Sequence, residues 1–167
     1  MIALRVWATL ADGTRLHTGN FAFSDPDAHG RYESEFEYTE NWLAHPGACD
    51  LDPESLRMSS GRIRYRSTNL FPPLAVFEDS LPDDWGRRLL VFDRSLPRRE
   101  QGEPYLLREL GADGLGALAY SETGKPAAPR NAAAVVHLAE LVEAAARFEA
   151  GRLDDRSKLR RLLEAGS

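Results

Sequence analysis

Apolar and polar positions alternate from the second residue onward. Ile2, Leu4, Val6, Ala8 and Leu10 fall on one face, and Arg5, Trp7 and Thr9 on the other. A period of two is the mark of a half-buried strand. Asp12-Gly13 follows, the dipeptide favoured in two-residue type I′ hairpin turns, so a second strand is predicted from about Arg15 to Phe23. After a polar turn at 24–30, residues 31–38 (RYESEFEY) alternate again. Tyr32, Ser34, Phe36 and Tyr38 share one face; Glu33, Glu35 and Glu37 share the other. Residues 61–66 mirror this, with Ile63 and Tyr65 inward and Arg62, Arg64 and Arg66 outward. Glutamates on one strand and arginines on another predict neighbouring strands joined by cross-strand pairs, each worth about 0.2–1 kcal/mol. Between them, Glu40 to Ala44 reads as a helical turn carrying Trp42 and Leu43. Residues 46–60, with Pro46, Gly47, Pro53, Ser59 and Ser60, read as loop. Pro72-Pro73 closes the β-rich part, and 74–79 reads as a short helical turn.

The period then changes. In residues 77–88, FEDSLPDDWGRR, Leu81-Pro82 breaks the chain and Asp83 and Asp84 stand where the positive end of a helix dipole favours acids. Trp85, Leu89 and Phe92 fall at i, i+4 and i+7, predicting a helix over about 83–95. Asp83–Arg87 and Asp84–Arg88 are spaced to pair along its surface. Trp85 is expected to anchor this helix to the sheet. Pro104 opens another helix through Leu110, ended by Gly111. Residues 111–120, GADGLGALAY, predict tight turns feeding a strand at 116–122. They lack the Lys-Ser/Thr and following helix of a phosphate loop. A Pro/Ala linker at 124–130 precedes an amphipathic helix over 133–149, with Leu138, Leu141, Val142, Ala145 and Phe148 on its apolar face. A last charged helix is predicted over 154–165, with Leu159, Leu162 and Leu163 as its apolar side.

Composition narrows the chemistry. With 43% hydrophobic residues in 167, the chain can bury a core of its own as one domain or one domain with an appendage. A net charge of −5 gives a field mildly repulsive to phosphate, which weakens the case for an electrostatic nucleic-acid binder. Arg62, Arg64 and Arg66 could still form a phosphate-contacting stripe, but the glutamates offer a simpler partner. The single Cys49 excludes an intrachain disulfide and a cysteine metal cluster, and fits a reducing cytoplasm. The N-terminus reads as a strand rather than a signal peptide, and no apolar run is long enough to span a membrane. His17, His29, His45 and His137 are scattered, with no metal-ligand spacing. Asp79, Asp83 and Asp84 could in principle do acid–base work, but a helix N-terminus accounts for them more simply.

LPDDWGRR at 81–88, preceded by Phe77 and followed by GADGLGALAY at 111–120, resembles the N-terminal region of the HipA family. These are bacterial serine/threonine kinases that serve as toxins in type II toxin–antitoxin operons. Phe77, Leu81, Pro82, Trp85, Gly111, Gly116, Ala117 and Leu118 carry the resemblance as structural positions of the two motifs. It implies an α+β fold, a small curled, barrel-like antiparallel sheet packed with helices. Residues 1–122 would form the HipA-like subdomain. The 116–122 strand and the later helices would begin a kinase N-lobe, with 123–167 leading toward a kinase core. The family's Gly-rich loop and lysine would lie beyond Ser167. The resemblance therefore implies no catalytic group, cofactor or metal in this chain, with ATP and Mg2+ implied for the full-length kinase. Its partners would be a HipB-like antitoxin and the kinase core, in cis or in trans, with DNA reached only through the antitoxin and no membrane. Asp83, Asp84, Arg87 and Arg88 are the candidate partner-binding residues. The last helix ending in mid-pattern favours a piece of a longer kinase. A stand-alone antitoxin-like protein that restrains a separate kinase is the alternative, and a small nucleic-acid-binding module a further one.

Overall fold

The computed structural model describes residues 1–29, 32–59, 64–67, 75–114, 116–128 and 138–151, with 66, 67 and 138–141 described by backbone alone. Five strands, β1 (Ile2–Thr9), β2 (Arg15–Phe23), β3 (Ser34–Tyr38), β4 (Arg64–Ser67) and β5 (Leu118–Ser121), form one sheet of order β4-β3-β2-β1-β5. Every pairing is antiparallel. The sheet is open, with β4 and β5 as its two edges. Among the described residues the helical elements are α1 (Glu40–Leu43), α2 (Ala75–Glu78), α3 (Asp84–Arg94), a 3-10 turn at Arg98–Glu100, α4 (Glu103–Leu110) and α5 (Leu138–Glu149). The α+β expectation holds. The helix predicted over 154–165, the Pro72-Pro73 break and His137 lie outside the described residues.

The first hairpin forms with a different turn from the one predicted. Leu10 and Thr14 close it, Gly13 N–H donates to Leu10 O at 2.9 Å, and among residues 10–14 only Gly13 has positive φ, at 83°. This is a three-residue loop with glycine in the left-handed position, not the two-residue type I′ form, which would need positive φ at Asp12 as well. Asp12 Oδ1 instead accepts the Thr14 N–H at 2.8 Å. That bond holds the Asp12 carboxyl below its usual range. Further along, the β1–β2 register slips between Val6↔Gly19 and Trp7↔His17, leaving Thr18 as a buried extra residue. Thr39 reads this bulge: its N–H donates to Thr18 O and its hydroxyl to His17 O at 2.6 Å. The same hydroxyl accepts the Trp42 N–H and caps α1.

The core lies on one face of the sheet. Leu4, Val6 and Ala8 of β1, Phe21 and Phe23 of β2, Phe36 and Tyr38 of β3 and Tyr120 of β5 meet Phe77, Leu81, Leu90, Leu106, Leu107 and Leu110 from the helices. Phe77 sits at its centre, 4.1 Å from the Phe21 ring, 5.1 Å from Phe36 and 6.4 Å from Tyr120, centroid to centroid. A residue of α2 thus joins three strands. Tyr38 fastens the 46–58 loop to the sheet, donating to Leu56 O at 2.5 Å and accepting Leu51 N–H at 2.9 Å. Burial pushes its phenol well above the ordinary range.

Two expectations about faces are corrected. Trp7, assigned to the outer face of β1, is nearly buried: its Nε1–H donates to Ser121 Oγ at 2.9 Å and its ring lies 5.0 Å from His17. The cause is β5. The 116–122 strand, expected to start a kinase lobe, pairs with β1 through Arg5↔Ser121 and Ala8↔Leu118 and so belongs to the same sheet as the opening hairpin. On α5, Val142 was placed on the apolar face but is 62% exposed, while Ala144 is buried. The helix turns Ala144, Ala145 and Phe148 toward Leu89 and Trp85 of α3.

Candidate interaction surface

The residues marked by the sequence gather where α2 hands over to α3. After Glu78 the chain makes one tight turn, with Ser80 N–H donating to Phe77 O and Leu81 N–H to Glu78 O at 2.8 Å. Pro82 then stands just outside α3, and Asp83 is its N-cap: the Asp83 carboxylate accepts the Gly86 N–H at 2.8 Å. This satisfies one of the donors that every helix start leaves open. Gly86 is the residue on which this close approach depends, because a Cβ there would fall 2.6 Å from the Pro82 Cβ.

The predicted Asp83–Arg87 and Asp84–Arg88 pairs do not form. Asp83 is committed to the cap, and Arg87 folds back in the other direction. Its Nε–H donates to Pro82 O at 2.9 Å, and its guanidinium reaches Glu78 at 3.6 Å and the nearly buried Glu103 at 3.9 Å. Arg87 thereby ties α2, α3 and the start of α4 together and is half-buried. Arg88 lies with its guanidinium carbon 5.6 Å from the centroid of the Phe148 ring. Trp85 packs on α5 rather than on the sheet, its ring 6.1 Å from Phe148 and edge-on. The sheet-side core is met from α3 by Leu90, with Val91 beside it, instead. Of the four candidate partner-binding residues, Asp83, Asp84 and Arg88 are exposed and Arg87 is held in the ion cluster.

The second motif closes over the first. Gly111 ends α4 at φ 61° and its carbonyl accepts the Tyr120 N–H at 2.8 Å, which turns the chain into β5. Gly116 also has positive φ, 89°, and Ala117 O accepts Thr9 N–H at 2.9 Å, so that Leu118 pairs with Ala8. Gly114 rests against the turn before α3: a Cβ there would meet Leu110 Cδ2 at 2.7 Å and Ser80 O at 3.1 Å. Beside it, Ser80 Oγ and Tyr120 OH share a buried hydrogen bond of 2.5 Å. Burial raises the Tyr120 phenol well above its ordinary range, and the Ser80 contact opposes that shift. Two stretches some 25 residues apart therefore form one joint. Sequence reasoning found both stretches but not Ser80 or Gly114, for which an isolated small residue gives no periodic signal.

A second ion cluster follows α3. Arg94 pairs with the nearly buried Asp93, and Arg108 donates to Glu100 at 3.1 Å and Glu109 at 3.0 Å. Burial works against the Arg108 charge, and these two glutamates outweigh it. The cross-strand reading of β3 and β4 holds in the register, where Glu37 stands opposite Arg64 and Glu35 opposite Arg66, and Arg64 reaches Glu35 at 3.5 Å. Arg62 lies outside the described residues. Among the described residues no group of His, Cys, Asp or Glu is arranged to hold a metal, and no helix is long and apolar enough to cross a membrane.

Compared with known proteins, residues 17–121 match the family model for the HipA N-terminal domain. The match runs from within β2 to the end of β5 and takes in both motifs. No curated protein matches the chain.

Proposed function

The chain belongs to the HipA N-terminal domain family, and from that premise we propose that it is the regulatory and interaction domain of a HipA-like serine/threonine kinase toxin. It contributes surface rather than catalysis. Residues 123–167 lead toward a kinase core, and the surface beside α3 receives a HipB-like antitoxin or the core itself. Any contact with DNA runs through the antitoxin, and the protein acts in the cytoplasm. The observation that carries this reading is the family match over a segment in which both motifs converge on one rigid joint. Such a joint holds the start of α3 at a fixed angle to the sheet, as a docking surface requires.

Asp84 and Arg88 are the residues to test, because Asp83 and Arg87 are already used in the fold. Isothermal titration of the chain against the HipB-like antitoxin and the kinase core of its own operon should show binding to at least one of them. Asp84→Lys with Arg88→Glu should weaken that binding at least about tenfold, or ~1.4 kcal/mol, with the thermal midpoint little changed. Binding to neither partner would refute the functional reading. Binding that survives both reversals would move the site elsewhere and leave the family reading intact.

A further inference from the structure

The outer face of the sheet carries cations that the fold leaves without acids. Directly paired residues share a face, so Arg5, Trp7 and Thr9 of β1 stand with Asn20, His17 and Arg15 of β2, turned away from the core. Arg5 is exposed and Arg15 half-buried. Both reach the segment that follows β5. Arg15 Nη1 donates to Ala127 O at 2.5 Å, and a Cβ on Gly124 would lie 4.0 Å from Arg5 Cζ. Lys125, exposed, falls between these two points of contact. Thr9, opposite Arg15, is four residues from Arg5 along β1, which sets the two arginines about 13 Å apart along the strand.

Little offsets this charge. Arg64, Arg87, Arg94 and Arg108 each have a carboxylate partner. Arg5, Arg15 and Lys125 have none among the described residues. The neighbouring acids are engaged elsewhere. Asp12 holds the Thr14 N–H, and Glu37 stands opposite Arg64. Burial opposes the Arg108 charge, Glu100 and Glu109 support it, and Glu122 adds to their effect. His17 registers the result: burial, and then the Arg5 charge, lower its pKa, and no carboxylate acts on it in the opposite sense.

On a chain with 26 acids and 21 bases, this is a positive island on an acidic molecule. Three cations in a line suit a nucleic acid poorly, because such binding draws on many phosphates and the net charge of −5 repels them. A short acidic peptide needs only the local charge. Extended backbone rises about 3.3 Å per residue with alternate side chains on one face, so acids at i, i+2 and i+4 span the same ~13 Å. We propose that Arg5, Lys125 and Arg15 form a docking site for an extended acidic segment of a partner protein, whose alternate carboxylates each meet one cation. The sheet and the core separate this face from α3, so the inference does not rest on the surface assigned above.

The test is fluorescence anisotropy with the full chain, in low-salt buffer, using a short fluorescein-labelled peptide of alternating glutamate and serine. Binding should saturate, and Arg5→Glu with Lys125→Glu should weaken it at least about tenfold. Arg98→Glu, which reverses an exposed arginine on the 3-10 turn beyond α3, should leave affinity within about twofold. Lys125→Glu alone, outside any strand, should weaken binding about threefold, and it serves as the test should the double variant not fold. No saturable binding, equal weakening by Arg98→Glu, or an unchanged affinity in Lys125→Glu would overturn the proposal. So would an oligothymidylate of equal length that binds more tightly than the peptide, which would make the face a nucleic-acid site.

Discussion

At the scale of single residues, several side chains do something other than their sequence position suggests. His17 was one of four scattered histidines with no chemistry to offer. In the fold it sits at the β1–β2 bulge, with Nε2 3.1 Å from Gly19 O and its ring against Trp7. Burial, and then the neighbouring Arg5 charge, pull its pKa below the ordinary 6.5, against weaker opposing hydrogen bonds from Gly19 and Asn20. The sign follows from proton linkage. As pH falls below 6.5 the unfolded chain takes up the proton first, so stability is full above that value and declines as pH drops toward the lowered folded-state value. The urea midpoint should therefore fall between about pH 7.5 and pH 5.5, and His17→Gln should flatten that dependence. An unchanged slope in the variant would remove His17 from the account. Arg87 makes a parallel case: i,i+4 spacing suggested Asp83 as its partner, but the buried edge of Glu103 competes better than an exposed acid that a helix cap already uses.

At the scale of elements, α3 is a helix with two loyalties. Leu90 and Val91 meet the sheet core, and Trp85 and Leu89 face α5. Its start depends on Asp83, whose carboxylate cap has no equivalent among hydrophobic substitutes. Asp83→Ala should cost about 0.5–2 kcal/mol in urea unfolding, with Asp83→Asn retaining most of the stability. Equal losses in the two variants would mean that charge rather than capping geometry matters. Periodicity predicts the extent of this helix but not its orientation. A single stripe of Trp85, Leu89 and Phe92 cannot say which neighbour it faces, and the stripe turned out to meet α5, leaving Phe92 42% exposed. The amphipathic reading of α5 was similarly rotated, since alanines fit either face of a helix and only packing on Leu89 chose Ala144 over Val142.

At the scale of the molecule, the Ser80–Tyr120 bond locks the α2–α3 turn to the edge strand of the sheet. Its two ends are not equivalent. Ser80 Oγ also reaches Val76 O at 3.2 Å, so it keeps a partner when Tyr120 loses its hydroxyl. Tyr120, nearly all of it buried, has no second partner among the described residues. Ser80→Ala should thus destabilise by about 1–3 kcal/mol, the penalty of an orphaned buried hydroxyl, and Tyr120→Phe by less. The double variant should cost less than the sum of the two, as expected for groups in contact. Strict additivity in chemical denaturation would show that the two residues act separately. If the joint orients α3 for a partner, the same variants should weaken antitoxin or kinase-core binding without touching Asp84 or Arg88.

Strands and helices were legible in the sequence because local periodicity depends on neighbours within a few residues. The strands predicted at 2–10, 15–23 and within 31–38, and the Glu/Arg match between β3 and β4, reappear in the sheet. So was family, since FEDSLPDDWGRR and GADGLGALAY are short stretches read whole. Tertiary structure alone decided the rest. It put β5 beside β1, buried Trp7 beneath it, and chose Glu78 and Glu103 for Arg87. It also brought Ser80 to Tyr120, forty residues away. Each of these depends on which surfaces meet when the core closes around Phe77, and apart from Arg87 and Glu78 the partners lie too far apart for one short window of the chain to contain both.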